Sequence, residues 1–236
     1  MSNCVKVSAL PWDTEFFGFS VGRMDLSANA CEVELRTAIA SSSFELTYVF
    51  LPVGGAMEGP RSALVALGGR CYDLKLTYRK SLSDGMVVND GSSFAANEIT
   101  PELTSLAYAS GWCSRFVSDD RLARFFKPLY LQWLKRDFLR GKVFVRPSLS
   151  NPEGMVTVSV QGHVGRVGLL AVDAGHCRCG IATGLLQDID VWFTSQGVKA
   201  CEVVTQGINV AAQKLYEKSG YKLSAQTEVW HVWKGS

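Results

Sequence analysis

The stretch VGLLAVDAGHCRCGIATGLLQDIDVWF, residues 167–193, constrains this chain more than any other. Its first six residues are apolar and mostly branched, which predicts a buried strand. Ile181, Leu185, Ile189 and Trp192 then recur at helical spacing. Gly175-His176-Cys177-Arg178-Cys179-Gly180 must turn the chain from strand to helix within one short loop. Such a loop serves two chemistries: a metal or redox site on its cysteines, or a cradle of backbone amides for an anion.

The metal reading is the weaker. A structural zinc takes four ligands, usually as two pairs. Cys177 and Cys179 stand as C-x-C beside His176, and no second Cys/His pair follows at useful spacing. Adjacent His176 and Cys177 also point poorly at one ion. No metal is expected. The anion reading fits better, because a helix opening with Gly180-Ile181-Ala182 presents unpaired N–H groups at its positive end. Small residues there let a phosphate approach the backbone. The loop is neither a Walker A sequence nor a G-x-G-x-x-G fingerprint.

Bulk properties leave the ligand to local placement. With 47% hydrophobic and 19% charged residues the composition is globular, and a net charge of +2 gives no drive toward nucleic acid or anionic membrane. The N-terminal residues lack a basic and apolar leader, and no apolar run suits a membrane helix. Seven scattered cysteines suggest reduced thiols in a cytoplasmic protein.

Along the chain, strands are expected at 5–10, 21–25, 48–52 and 72–78, with helices at 32–41 and 61–67. Residues 81–97, with Asp84-Gly85 and Asn89-Asp90-Gly91, make a linker. The reading is two domains, a small α/β unit at 1–84 and a larger one at 95–236. In the second half, Thr100-Pro101-Glu102 predicts a helix start. Helical periodicity over 122–138 stops at Gly141. Strands follow at 143–145, 155–161, 167–172, 200–205 and 228–233, with a helix at 210–218. LVALGGRCYDLKL and KLYEKSGYKLSAQ both read as helix, glycine stop and strand, an echo compatible with a truncated internal copy.

The loop gains meaning from NVAAQKLYEKSGY, residues 209–221. The two segments together resemble the GNAT family of acetyl-CoA-dependent N-acetyltransferases. In that family a Gln/Arg-x-x-Gly-x-Gly/Ala loop cradles the coenzyme A pyrophosphate, and an Asn-x-x-Ala-x-x-x-Tyr-x-x-x-Gly-Phe/Tyr unit follows. Gly180 and Ala182 match the first pattern; Asn209, Ala212, Tyr216, Gly220 and Tyr221 match the second. Cys177 departs from it, standing where Gln or Arg is usual, with Arg178 one step on. LPWDTEFFGF, LGGRCYDLKL and SGWCSRF followed by LYLQW look like the branch acting on nucleotide-linked amino sugars.

The resemblance implies an α/β GNAT fold with a mixed, mostly antiparallel sheet and flanking helices. It implies that Arg178, Cys179, Gly180, Ile181, Ala182 and Thr183 hold the acetyl-CoA phosphates, with Asn209 and Ala212 as further contacts. The pantetheine arm is expected beside the strand, near the amides of Leu170, Ala171 and Val172. Tyr216 is implied as general acid toward the sulfur, and Asp73 as a base acting through water, with Glu15 and His163 as lesser alternatives. The acceptor implied is a nucleotide sugar, a TDP-linked amino-dideoxy hexose, met by Ser114, by Arg115 at the diphosphate, and by Trp12 and Phe17 stacking on the base. Phe16 and Phe17 face opposite ways if extended, so one of the pair belongs to the core. His231, between two tryptophans, reads as structural. A homodimer is left open. Rival acceptors are a peptide, a polyamine or an antibiotic amine, although the acidic clustering a polycation needs is missing. A binding module without turnover is the third reading.

Overall fold

The computed structural model describes residues 4–82 and 93–235, so most of the expected linker lies outside the described residues. The chain forms two compact units, Met1–Leu76 with Ala225–Ser236, and Thr77–Ser224. The last residues thus belong with the first unit, whereas the sequence reading keeps them in the second domain. The reason is pairing: β10 (Lys222–Trp233) runs antiparallel to β3 (Leu46–Pro52) from Thr227 to Trp233.

In the first unit, β1 (Val5–Ala9) pairs antiparallel with β2 (Val21–Leu26), and β2 runs parallel to β3. Helices α2 (Glu32–Ala40) and α3 (Glu58–Ala66) supply Leu35, Ala63 and Leu64 to a core with Met24, Val49, Leu51 and Val232. LPWDTEFFGF holds a helix that periodicity misses, α1 (Pro11–Phe17). Pro11 presets the first turn, and Gly18 closes it at φ 78°, a conformation that favours glycine. Because the segment is helical, Trp12 and Phe16 stack at i,i+4, 5.1 Å apart, and Phe17 turns into the core. Phe17 is therefore withdrawn as a base-stacking residue; Phe16 is its accessible neighbour. β4 (Arg70–Ser81) follows α3 after Gly68 at φ 75°, as the helix–glycine–strand pattern predicts.

The second unit opens on β5 (Phe94–Ala95) and α4 (Pro101–Ser110), whose cap is Thr100 Oγ1 accepting from the Leu103 N–H at 3.3 Å. The short helices α5 (Arg115–Ser118) and α6 (Asp120–Ala123) lead into α7 (Phe126–Arg140). Antiparallel strands β6 (Lys142–Pro147), β7 (Pro152–Gln161) and β8 (Val164–Val172) come next. α8 (Ile181–Ser195) then crosses over to β9 (Ala200–Gln206), which is parallel to β8, and α9 (Val210–Lys218) follows. The strand order is β4-β9-β8-β7-β6-β5.

Two glycines let helices close on β8 from both sides. A Cβ on Gly165 would sit 2.6–2.8 Å from the Phe193 ring of α8, and one on Gly168 would sit 2.8 Å from Asp137 Oδ2 of α7. Side chains alternate along a strand, so α8 and α7 cover opposite faces. Gly165→Ala is expected to cost about 1–3 kcal/mol of stability by overpacking, and adding Phe193→Leu should recover part of it. Urea melts of the two single variants and the double variant measure this; strictly additive losses would rule out the contact.

Candidate active site

The site begins where β8 changes partners. Its ladder with β9 runs from Val164–Ala200 to Val167–Val203 and stops, although β8 continues to Val172 and β9 to Gln206. On the other edge β8 stays paired with β7 to Val172, with a register shift that sets Thr157 opposite both Gly168 and Leu169. Leu169 N–H is given to Thr157 Oγ1 at 2.8 Å and Asp173 N–H to Glu153 O at 2.7 Å. Amides alternate in direction along a strand. The N–H groups of Leu170 and Val172 therefore point away from β7, to the edge that β9 has left. Of the three amides singled out from sequence, Ala171 faces β7 and drops out.

Beyond Val172 the chain folds into the loop. Asp173 Oδ1 accepts from the Gly175 N–H at 2.9 Å and lies 3.1 Å from His176 Nδ1. Those contacts, the Gly175 amide foremost, hold the Asp173 carboxyl below its usual range. Arg178 has φ 65° and Gly180 φ 82°, with nothing within 4 Å of a Cβ placed on Gly180. The first turn of α8 closes with Gly184 N–H on Gly180 O, so the amides of Ile181, Ala182 and Thr183 have no helical partner. No acidic residue occupies that turn. Open backbone, unpaired amides and the positive end of a 15-residue helix make an anion cradle. The cysteines do not converge: Cys177 donates toward Asp173 O and Cys179 toward Cys177 O. Among the described residues no group of three or more His, Cys, Asp or Glu side chains is arranged to hold a metal.

Asn209 caps α9, its side-chain oxygen accepting from Ala212 N–H at 3.1 Å. Tyr216, two turns on, is 4% exposed, with the rings of Tyr78 and Tyr221 each 5.8 Å away. Its hydroxyl makes no hydrogen bond among the described residues. Burial, and secondarily the nearby Cys113, push the phenol well above its usual pKa. Such a group stays protonated and can only give a proton. Cys113 donates to Gln206 Oε1 at 3.2 Å, which ties the Trp112–Arg115 segment to the end of β9. Ser114 is 3% exposed, and its hydroxyl has no partner among the described residues. The Arg115 guanidinium lies 4.6 Å from the Phe116 ring centre.

Other sequence candidates fall elsewhere. His163 lies in the turn before β8, at the strand end opposite Leu170, and is no base for that site. His231 packs against Tyr48 and Tyr72, a core residue as expected. Trp12, Glu15 and a half-buried Asp73 belong to the first unit. A cavity of about 250 Å³ lies at the start of α4, lined by Thr100, Leu103, Val145, Leu149 and Pro152, and includes none of the expected residues. Cys113, Gln206 and Tyr78 carry no sequence signal of their own.

A free strand edge leading into an anion cradle, beside a buried protonated tyrosine, defines a coenzyme A-dependent acyltransferase site. Residues 112–221 match the model of the acetyltransferase (GNAT) family. The fold is similar to a GCN5-related N-acetyltransferase from Sphaerobacter thermophilus, with a TM-score of 0.58 and 13% identity over 99% of this chain and 78% of that one. It is also similar to a functionally unknown conserved protein from Staphylococcus epidermidis, at 0.61 and 11% over 98% and 92%. A glucosamine N-acetyltransferase region of a fungal multi-domain GH3 β-N-acetylglucosaminidase matches at 0.57 and 12%, over 96% of this chain and 31% of that one. Identities this low establish the fold alone. No curated protein sequence matches the chain. The second unit carries a GNAT acetyltransferase domain, and the enzyme class is that of the acetyl-CoA-dependent acyltransferases.

Gly180→Leu tests the cradle. A branched side chain at that φ is strained and fills the space a phosphate needs, so the acetyl-CoA Kd should rise at least ~10-fold. Unchanged calorimetric affinity in a folded variant would remove the loop from the site.

Proposed function

We propose that this protein transfers the acetyl group of acetyl-CoA to the amine of a nucleotide-linked amino-dideoxy sugar, a TDP-linked hexose by preference, in surface polysaccharide synthesis. The observation that carries acyl transfer is the free edge at Leu170 and Val172, continuous with the amides of Ile181, Ala182 and Thr183. Acetyl-CoA supplies the activated acyl group as a thioester. The 181–183 amides, with Arg178, hold its phosphates. The Leu170 and Val172 amides face the carbonyl oxygen, where negative charge grows as the amine attacks. Tyr216 gives its proton to the departing sulfur. Asp73 is assigned as the proton acceptor for the amine, through water.

Support for the acceptor is of a different kind. LPWDTEFFGF, LGGRCYDLKL and SGWCSRF resemble the TDP-fucosamine acetyltransferases. The orphaned hydroxyl of Ser114 asks for a polar ligand, since a buried unpaired hydroxyl costs about 1–3 kcal/mol. Arg115 beside it suits a diphosphate bidentately. Trp12, exposed and stacked on Phe16, suits a base. The fungal region named above has an amino sugar in its name, so the fold accommodates that class of acceptor. A cytoplasmic location follows from where both substrates are made.

Tyr216→Phe should lower kcat about 10²-fold and leave the acetyl-CoA Kd nearly unchanged. Because burial raises the phenol pKa, its acid form persists as pH rises; kcat should show no loss at the ordinary tyrosine pKa of about 10. An alkaline limb there that Tyr216→Phe abolishes would contradict the buried acid.

The acceptor is settled by competition among TDP-, UDP- and GDP-amino sugars, free amino sugars, spermidine and N-terminal peptides. TDP-amino sugar should dominate and the free sugar should be poor, since the diphosphate orients the amine. Arg115→Ala should raise KM for the nucleotide sugar by the equivalent of about 1.5–3 kcal/mol and spare acetyl-CoA binding. Turnover of spermidine or peptide alone would overturn the sugar and keep the acetyltransferase.

A further inference from the structure

The register shift in β8 is held by a side-chain relay. Thr157 is 0% and Asp137 8% exposed. Thr157 Oγ1 donates to Asp137 Oδ2 at 2.6 Å and accepts the Leu169 N–H at 2.8 Å. Arg136 Nε and Nη2 both donate to Asp137 Oδ1, at 2.8 and 2.7 Å. The carboxylate thus fixes the hydroxyl proton on one side, leaving a lone pair for the amide on the other. Around the relay, a Cβ on Gly168 would sit 2.5 Å from Thr157 Oγ1 and 2.8 Å from Asp137 Oδ2. A Cβ on Gly141 would collide with Val158 O, so the end of α7 lies close on β7.

A bulge leaves one amide of the longer strand without its regular ladder partner. Here that amide is Leu169, and a side chain supplies the acceptor. Up to Val167 the register with β7 pairs Val167 with Val158; beyond the shift it pairs Leu170 with Val156. Without the shift, Gly168 would pair with Thr157 and Leu170 with Met155. A slip of one residue exchanges the amides facing each edge. Leu170 and Val172 would then turn toward β7, away from the free edge.

We propose that Thr157 and Asp137 are positioning residues for acyl transfer: by accepting the Leu169 amide they set the register that aims the Leu170 and Val172 amides at the thioester. This rests on the acetyl-CoA reading above. Thr157→Val keeps shape and removes the hydroxyl; Thr157→Ser restores it. Two measurements on folded protein separate the outcomes. Amide hydrogen exchange across 168–172 in ligand-free protein should accelerate at least ~10-fold in Thr157→Val and stay near wild type in Thr157→Ser. Calorimetry should show the acetyl-CoA Kd raised about tenfold in Thr157→Val, while 3′-phospho-ADP, which reaches only the loop, changes less than about threefold. Asp137→Asn should shift both readings the same way. A merely structural role would weaken both ligands alike or neither, and that result overturns the proposal, as does unchanged exchange. If wild type binds no acetyl-CoA, the coenzyme reading fails; the exchange measurement still decides whether the relay holds the register.

Discussion

A backbone N–H inside a folded chain needs a partner, and β8 is built so that two of its own lack one within the protein. Its β7 edge is served throughout, at Leu169 by a side chain. Its β9 edge is served only as far as Val167. The same shortage recurs a few residues later at the start of α8, where the helix leaves Ile181, Ala182 and Thr183 unpaired. One continuous segment therefore presents two groups of donors, first an extended edge and then a concave turn. A ligand with an amide-bearing arm and a polyanionic end satisfies both. This is how a chain with a net charge of only +2 recognises a highly anionic coenzyme without a basic patch.

The chemistry asks for little more. A thioester is already activated, so the protein must steady charge on oxygen and return a proton to sulfur. Tyr216 is placed for the second task by packing rather than by hydrogen bonds. Two flanking rings hold it, and the absence of a polar partner keeps its proton available while burial opposes ionisation. The neighbouring Cys201 thiol shows the same physics without a function. Fully buried and donating to the Tyr221 hydroxyl at 3.2 Å, it is pushed up to about 12 and is inert.

What the sequence made legible is what local rules govern. The Thr100 cap, the stop at Gly141, the strand–loop–helix at 167–193 and the Asn209 cap depend on a residue and its near neighbours, and all appear where expected. Features made by distant residues were not legible. Nothing in SVTVSG-like alternation around Thr157 announces a bulge, because its cause is Asp137 on a helix twenty residues earlier. Cys113 meets Gln206 across 93 positions. α1 escaped because seven residues hold too few turns for a period to show, and with it went the orientation of Phe17. The first half of β10 is polar and exposed, so no alternation marked it.

Rigidity connects these parts. Donors stabilise developing charge best when they cannot relax toward it or away from it, so the amides at Leu170 and Val172 gain from sitting on a strand rather than in a loop. Gly165 admits Phe193 on one face, and Gly168 admits Asp137 and Thr157 on the other. Either contact would be closed by a single methyl group. The strand is thus gripped from both faces just before its outer edge is left free, and the tightest packing in β8 lies next to the amides that have no partner. Close packing and unsatisfied hydrogen bonding are usually opposed in a protein core. Here the first makes the second tolerable, because amides held this firmly cannot fold back onto β7 to satisfy themselves.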